Sequence, residues 1–283
     1  MEPQFGEFPM CISLNRPIGS LFGPVFCLFL GLVMAPRGLG QDSGKNPPAP
    51  PSPFVIKWHG QSFFEITTPK GVRIVLDPHA IEAYGRKTME ADLVLLSHLH
   101  TDHTRLEPVT NKAQAKVLNG LRPSMQQGRG PDFNPVQEAF KDFNIRTVSL
   151  YHDSMAGMHR GRNAAWVLTV EGLNIVHLGD LGHKLTRDQL RQIGPVDVLM
   201  IPVGGVYTIN GLDAREVVDQ IKPKRFIFPM HHATRVYEDL LGPEEFLEDF
   251  PKDQVKKLLV NKFEFRASDP IPKVPLVVMP NFE

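Results

Sequence analysis

One short stretch constrains this chain more than any other: residues 98–103 read HLHTDH, with three histidines and one aspartate. It follows an apolar run at residues 93–96 that predicts a buried strand. Imidazole and carboxylate groups are preferred ligands of zinc, iron and manganese ions. Because side chains alternate along an extended segment, the first two histidines point the same way, while Asp102 and His103 can turn toward a second position. The stretch therefore predicts a centre for two metal ions, and the alternative is a polar loop with surface histidines.

The composition argues against several classes of site and partner. Among 283 residues, 42% are hydrophobic and 22% are charged, which is typical of a globular protein with a sizeable core. The 31 basic and 31 acidic residues balance, so no nucleic acid partner is expected. The expectation of a small-molecule substrate, an anionic one among the candidates, comes from the motifs described below and not from composition. Both cysteines, Cys11 and Cys27, precede residue 54, so a later metal site has only nitrogen and oxygen ligands.

Residues 1–40 have the features of a signal peptide or an N-terminal anchor. Residues 18–35 are apolar and uncharged, and Arg16 lies just before them, as in the central part of a secretory signal. A Gly-Pro pair interrupts the run and disfavours a straight transmembrane helix, and an uncleaved anchor is the competing interpretation. Residues 41–53 form a proline-rich linker that will not pack. We therefore expect an exported domain at residues 54–283, periplasmic or extracellular, whose only membrane contact would be an uncleaved N-terminus.

The order of the expected elements predicts an α+β fold. Short strand-like runs come first, and strands alternate with helical patterns in the second half of the chain. This mix favours sheets packed face to face with helices outside, rather than one doubly wound sheet. We expect helices at residues 111–118, 135–143, 186–193, 213–221 and 243–250.

Three further polar residues close apolar, strand-like runs. His152, Asp180 and His231 each come at the end of such a run. Polar residues are common at strand ends, so one of them alone would carry little weight. Three of them can lie along one rim of a sandwich, where they would complete the metal site begun by residues 98–103.

Seven motifs together resemble the metallo-β-lactamase-fold metal-dependent hydrolases, and within them the ascorbate-phosphate-lactonase-like (UlaG-like) branch. The motifs are HGQSFFEITTPKG (59–71), VLDP (75–78), SHLHTDH (97–103), HD followed by RGRN (152–163), HLGDLGH (177–183), IPVGG with YT (201–208) and FPMHH (228–232). The resemblance implies a four-layer αββα sandwich in a single domain, with the site at the sheet edges. Residues 104–144 match little, so the substrate-facing wall is not carried over.

The resemblance also implies which residues bind metal. One ion would be held by His98, His100 and His152, the other by Asp102, His103 and His231, and Asp180 would bridge them. The last motif ends in two histidines where the branch usually has a histidine and an aromatic residue, so His232 competes with His231 for this role. Zinc is the first expectation for both ions, with manganese or iron as alternatives.

Hydrolysis in this family implies a hydroxide held between the two metals, because divalent ions lower the pKa of water. Asp102 would bind metal and orient this hydroxide, and His183 would either donate a proton to the leaving group or only cap a helix. Asp77, at the end of a predicted strand, would either support a ligand or merely close a turn. Arg160 and Arg162 would either bind a phosphate or carboxylate or form a solvated basic loop.

Three classes of function stay open at this point. The leading one is a hydrolase that cleaves an ester-type bond in a small molecule, a lactone or a phosphodiester, since both reactions develop negative charge on oxygen. A non-catalytic metal- or ligand-binding protein is the second class, and retention of all seven expected ligands argues against it. A di-iron redox enzyme is the third, and His100 argues against it because glutamate typically stands there.

Overall fold

The computed structural model describes residues 51–283. The expected signal peptide or anchor, and most of the proline-rich linker, lie outside these described residues. No helix within residues 51–283 is both long and apolar enough to span a membrane. The first strand begins at Phe54, the residue at which we expect the domain to start.

Two large sheets make up most of the described structure. The first has six strands, which in spatial order are β15 (Lys262–Phe265), β1 (Phe54–Trp58), β2 (Phe64–Thr67), β3 (Arg73–Leu76), β4 (Leu93–Leu96) and β5 (Lys116–Asn119). The second has eight, which are β14 (Val255–Lys257), β16 (Leu276–Met279), β13 (Phe226–Met230), β12 (Val198–Pro202), β11 (Leu173–His177), β10 (Arg162–Val170), β9 (Phe143–Tyr151) and β8 (Gln137–Phe140). A small ribbon pairs β6 (Leu121–Arg122) with β7 (Asp132–Phe133).

An aromatic-rich core fills the space between the two sheets. Alternate residues of β1 are buried, as a period of two requires when one face of a sheet packs on a core. Phe64 of β2 meets Phe228 of β13 edge to face, with ring centroids 6.2 Å apart. Trp166 of β10 is fully buried in the same core. This packing confirms the predicted α+β sandwich.

Three helices cover the outer face of the eight-stranded sheet: α1 (Arg187–Ile193), α2 (Gly211–Ile221) and α3 (Glu244–Leu247). Their apolar residues, including Ile193, Val217 and Phe246, form a second core with outward-facing sheet residues such as Leu199 and Ile227. The predicted threonine cap of α1 is confirmed: the Thr186 side chain accepts a hydrogen bond from the Gln189 N–H. The last helix is shorter than the predicted 243–250.

The helix predicted at residues 111–118 is wrong. The Asn111 side chain does not cap a helix; its Oδ1 accepts from the Ala91 N–H at 2.9 Å and its Nδ2 donates to the Ala91 carbonyl at 2.8 Å. The following residues pair with β4 as β5. Within the described residues, loops that carry Met89, Leu106 and Val109 therefore cover the outer face of the six-stranded sheet.

The helix predicted at residues 135–143 is also wrong. Residues 137–140 form the edge strand β8, which pairs antiparallel with β9 through a tight turn. Its side chains alternate between exposed and half-buried, which suits an edge strand with one face on the core. Pairing with β9 overrides the weak local helix preference.

Candidate metal centre

The expected ligands lie at the carboxyl ends of four strands. In the eight-stranded sheet, β9, β11 and β13 run in one direction, because β10 is antiparallel to β9 and β11 while β11, β12 and β13 are parallel. Their carboxyl ends therefore meet at one edge, where His152, Asp180 and His231 follow them. From the six-stranded sheet, β4 brings residues 98–103 to the same edge.

Close contacts join the two sheets at this edge. The Ala164 N–H donates to the Ser97 carbonyl oxygen at 3.2 Å, which links β10 to the segment after β4. A Cβ at Gly179 would lie 2.3 Å from Asn163 Oδ1 and 2.7 Å from Ser97 Cβ. Glycine is therefore required at this position, where its positive φ of 54° is also unstrained. The close approach allows Asp180 to enter the histidine cluster.

One carboxylate oxygen of Asp180 lies at the centre of the cluster. Asp180 Oδ2 is 3.1 Å from His152 Nε2, 3.2 Å from His103 Nε2 and 3.3 Å from His231 Nε2. His98 Nε2 is 3.8 Å from the same oxygen. Four imidazole nitrogens thus face one buried oxygen, as expected if that oxygen bridges two positions that they surround.

Three groups of donor atoms lie close enough to hold a metal ion, and two of them are the groups that the resemblance implies; the third joins Asp77 to His98 and His103. The first group is His98, His100 and His152, and the second is Asp102, His103 and His231. Within each group one donor atom of every residue lies within 4.8 Å of the others. The structure thus brings all seven expected ligands together, with Asp180 between the groups.

Asp77 lies behind the cluster and is fully buried. Its Oδ1 accepts from the Ser97 N–H at 2.7 Å, and its Oδ2 lies 3.0 Å from His103 Nδ1. Ser97 Oγ is in turn 2.9 Å from His98 Nδ1. These contacts occupy the rear nitrogens of both rings, so their Nε2 atoms face the centre. Asp77 therefore orients His103, as expected of a residue that supports a ligand.

Burial keeps several of the imidazoles in the neutral form that metal ligands require. It lowers the pKa of His98 well below the usual value, and it also lowers the pKa of His100 and His231. For Asp180, burial alone would raise the pKa, but nearby His103 and His231 hold it well below the usual value. Asp180 is therefore a carboxylate at neutral pH.

His103 lies among three carboxylates that favour positive charge at the centre. Burial opposes protonation of His103, yet the neighbouring carboxylates of Asp180, Asp102 and Asp77 raise its pKa well above the usual value. Its buried Nε2 has no hydrogen-bond partner. A divalent cation would satisfy both this nitrogen and the surrounding carboxylates. The donors, all imidazole nitrogens and carboxylate oxygens, therefore fit zinc, manganese or iron ions.

A pocket of about 260 Å³ opens over the two donor groups. It is lined by His100, Asp102, His152, Arg160, Asp180, Tyr207 and His231. The guanidinium of Arg160 donates to the Val206 carbonyl at 2.9 Å and lies over the Tyr207 ring at 4.9 Å. Arg160 is thus placed where an anionic group of a ligand would meet it.

Two other predicted site residues lie outside this pocket. His183 Nε2 accepts from the Tyr151 N–H at 3.1 Å, and its Nδ1 donates to the Lys184 carbonyl at 2.8 Å. Both ring nitrogens therefore bind main chain, which corrects the expectation of a proton donor. Arg162 binds the Pro131 carbonyl and faces Asp132 at 3.4 Å, so it positions β7 instead of a substrate.

His232 also lies apart from the donor groups. Its Nδ1 donates to the Ala233 carbonyl at 2.8 Å, and its ring packs on Trp58 with centroids 5.1 Å apart. His231, which has a positive φ of 48°, presents its Nε2 to Asp180 instead. The choice of His231 over His232 agrees with this geometry.

Three residues at the site were missed by the sequence analysis. Ser62 Oγ donates to Asp180 Oδ1 at 3.2 Å. Asp153 accepts four main-chain hydrogen bonds, from residues 155, 157, 159 and 160, and these lower its pKa to about 2 although burial opposes this. Tyr207 lines the pocket. All three belong to motifs of the family resemblance (59–71, 152–163 and 201–208), and this is the signal that could have found them.

Sequence comparisons match the chain to a family. A family model described as a beta-lactamase superfamily domain matches residues 55–231. A UPF0173 metal-dependent hydrolase of Thermococcus onnurineus is 27% identical over 226 residues, which cover 74% of this chain and 93% of the relative. A UPF0173 metal-dependent hydrolase of Cupriavidus taiwanensis is 29% identical over 263 residues, which cover 78% of this chain and 89% of the relative.

Solved structures confirm the fold. A protein of Thermotoga maritima, proposed to be a Zn-dependent hydrolase of the metallo-beta-lactamase superfamily, aligns with a TM-score of 0.59 and 31% identity, covering 80% of this chain and 98% of that one. A Parabacteroides distasonis structure aligns with a TM-score of 0.53 over 69% of this chain and 89% of that one, and at 21% identity it supports the fold alone. The chain therefore belongs to the metallo-beta-lactamase superfamily of metal-dependent hydrolases.

Proposed function

We propose that this metal-dependent hydrolase uses two divalent ions, zinc in the first instance and otherwise manganese or iron, to cleave an ester-type bond in an anionic small molecule. The observation that carries the proposal is the placement of Asp180 Oδ2 between two donor groups of three residues each. A lactone and a phosphodiester are the two candidate bonds. The apolar segment at residues 18–35 further supports export, so we propose that the enzyme acts outside the cytoplasm.

The bound ions would lower the pKa of a water molecule and polarise the oxygen under attack, which is the chemistry that divalent metals supply in hydrolases. Asp102 and Asp180 contribute the negative charge that holds the ions in place. Burial alone would raise the pKa of Asp102, but the neighbouring His103 and His231 together lower it to about 2. Asp102 therefore stays a carboxylate near neutral pH, so it can bind a metal ion and accept a hydrogen bond that orients the attacking water.

Arg160 supports an anionic substrate. Its guanidinium lines the pocket and is held there by the Val206 carbonyl and the Tyr207 ring. A planar guanidinium binds carboxylate and phosphate oxygens in pairs, so it can orient a charged substrate beside the donor groups. This orientation would bring the reacting bond next to Asp180 and would reduce the entropy lost on reaching the transition state.

The test is a hydrolysis screen of the full chain, purified without chelator and then loaded with zinc, manganese or iron. Lactones and phosphodiesters that carry a carboxylate or phosphate are compared with neutral esters of the same size. We expect hydrolysis of one anionic class, its loss on metal removal, and its recovery on reloading. The matched control is Asp180→Asn, which keeps the side-chain volume but removes the bridging charge. Retention of hydrolysis after complete metal removal would contradict the proposal.

A further inference from the structure

Five exposed hydrophobic side chains lie on the chain segments that form the metal pocket. Twelve large hydrophobic side chains are exposed within residues 51–283. Five of them lie on segments that carry pocket residues, and these are Leu99, Met155, Met158, Val206 and Tyr207. We refer to these five residues as the apolar rim. An apolar surface at the mouth of a charged site typically marks a binding surface.

Tyr207 joins the apolar rim to the charged pocket. It is 43% exposed, yet it also lines the pocket beside the donor groups. The guanidinium of Arg160 lies over its ring at 4.9 Å. A ligand whose anionic end meets Arg160 would therefore place its next few atoms against the edge of Tyr207 and against Val206, which precedes it.

Val206 is held in an unfavourable conformation that keeps it exposed. Its φ is 54°, in the left-handed region that β-branched residues avoid, and its side chain is 51% exposed. Its carbonyl accepts the hydrogen bond from Arg160 at 2.9 Å. Backbone strain of this kind persists where the surroundings enforce it, and it concentrates at ligand-binding sites. The strain therefore points to a binding role for Val206, independently of its exposure.

The second segment of the rim is held in place by a buried carboxylate. Asp153 follows the ligand His152 and binds the N–H groups of Met155 and Arg160 at 2.8 Å and 2.7 Å. The same side chain therefore positions both a rim methionine and the arginine of the pocket. Methionine side chains adapt to apolar ligands of varied shape because they are unbranched and polarisable.

The geometry points to an amphiphilic substrate: we propose that the apolar rim binds an alkyl or aryl group of a substrate whose anionic end meets Arg160. This inference deepens the proposed function and rests on it, because it concerns the same pocket. The occupant is the substrate itself, since Tyr207 contributes to both surfaces and Arg160 connects them. The rim thus selects substrates by the length of their apolar part.

The test measures binding rather than turnover. Methyl-, butyl-, hexyl- and octylphosphonate are titrated by calorimetry into the zinc-loaded full chain. Full burial of a methylene contributes about fourfold to affinity, so a half-exposed rim should lower Kd about twofold for each added carbon. A double variant, Val206→Asn with Met158→Ser, leaves the Tyr207 ring under Arg160 in place, so it should keep the affinity for methylphosphonate and lose the dependence on chain length. Asparagine tolerates the left-handed backbone at position 206, so the loop is expected to keep its shape.

Ile271→Asn is the matched control. Ile271 is 58% exposed, and it lies on the segment that Arg225 binds through the Asp269 carbonyl, at the end of β13 opposite the metal centre. This variant should keep the full dependence on chain length. Equal loss in the control would show a non-specific effect and would overturn the inference, as would equal Kd values for all four phosphonates in the unsubstituted protein.

Two further outcomes separate this inference from the proposed function. If no ester is hydrolysed but the double variant still abolishes the chain-length dependence, the amphiphilic pocket stands and the hydrolase proposal fails. If hydrolysis is intact but chain length has no effect, only the inference on the rim fails. Size-exclusion chromatography completes the test: dissociation of an oligomer in the double variant, without any chain-length effect in the unsubstituted protein, would identify the rim as an interface between copies and overturn the inference.

Discussion

Asp77 lies directly behind His103: its Oδ2 is 3.0 Å from Nδ1 of that ring, while Nε2 on the opposite side faces Asp180 at 3.2 Å. Both side chains are fully buried, so the contact fixes the orientation of the ring without competition from water. A carboxylate behind a ligating imidazole also makes the imidazole a stronger ligand. The metal affinity of the group Asp102, His103 and His231 is therefore expected to depend on Asp77, which is not one of its three residues.

Asp77→Asn is expected to weaken metal binding at the second donor group about 10- to 100-fold, because the amide removes the charge behind His103. Chelator competition of the zinc-loaded protein measures this affinity. Asp92→Asn is the control, since Asp92 also accepts a main-chain hydrogen bond, from Arg73, but does not touch the centre. An equal loss of affinity in both variants would show that the effect is a general loosening of the sheet.

Arg160→Gln is expected to raise KM for an anionic substrate about tenfold or more with little change in kcat, because hydrogen bonds to charged groups contribute about 1.5–3 kcal/mol. Steady-state kinetics on a charged substrate and on its neutral analogue separate this effect from a general defect. Arg162→Gln is the matched control: it should leave KM unchanged, because Arg162 binds the Pro131 carbonyl outside the pocket. A rise in KM only in the Arg162 variant would contradict the assignment.

His183→Ala is expected to lower stability and to leave metal content and kcat unchanged. The substitution leaves the Tyr151 N–H without its acceptor, and an unsatisfied buried donor costs about 1–3 kcal/mol. Urea unfolding measures the loss of stability, and elemental analysis measures the metal. A variant of normal stability whose kcat collapses would restore the role of His183 as a proton donor.

Acidification from pH 6.5 to pH 4 is expected to destabilise the protein partly through His79. Burial lowers the pKa of this side chain to about 4, whereas in the unfolded chain it stays near 6.5. Between these values the unfolded chain takes up a proton that the folded chain does not, so stability falls as pH falls, by up to about 1.4 kcal/mol per pH unit. Urea unfolding of the unsubstituted protein and of His79→Gln at several pH values tests this. Parallel stability curves for the two proteins would contradict the expectation.

The ligand cluster could be predicted from sequence because its signals are local. Each candidate ligand follows an apolar, strand-like run. Three histidines and an aspartate within residues 98–103 are also hard to explain by packing in a core, because these side chains are polar or charged. The grouping into two sets came from the family resemblance, and both sets are among the three groups of donor atoms that the structure brings together. The roles of these residues as ligands are still to be tested by metal binding.

The predictions that differ from the structure concern elements and side chains whose partners are distant in sequence. Residues 116–119 form a strand because they pair in parallel with β4, and no local sequence pattern predicts this pairing. His183 and Arg162 bind main-chain carbonyls or N–H groups whose position is set by the tertiary structure. Tyr207 belongs to the motif at 201–208, but it was missed because tyrosine is not an expected metal ligand and a loop position gives no indication of where its side chain lies.

The central claim is that the protein binds two metal ions, one on each side of Asp180. Metal stoichiometry tests this claim most directly. Elemental analysis is made on the full chain, on His100→Ala from the first donor group and on His231→Ala from the second, all loaded with excess zinc and desalted. The account predicts about two ions per chain in the unsubstituted protein and about one in each variant, since each substitution removes one ligand from only one group. A single ion in the unsubstituted protein, or a full two ions in both variants, would contradict it.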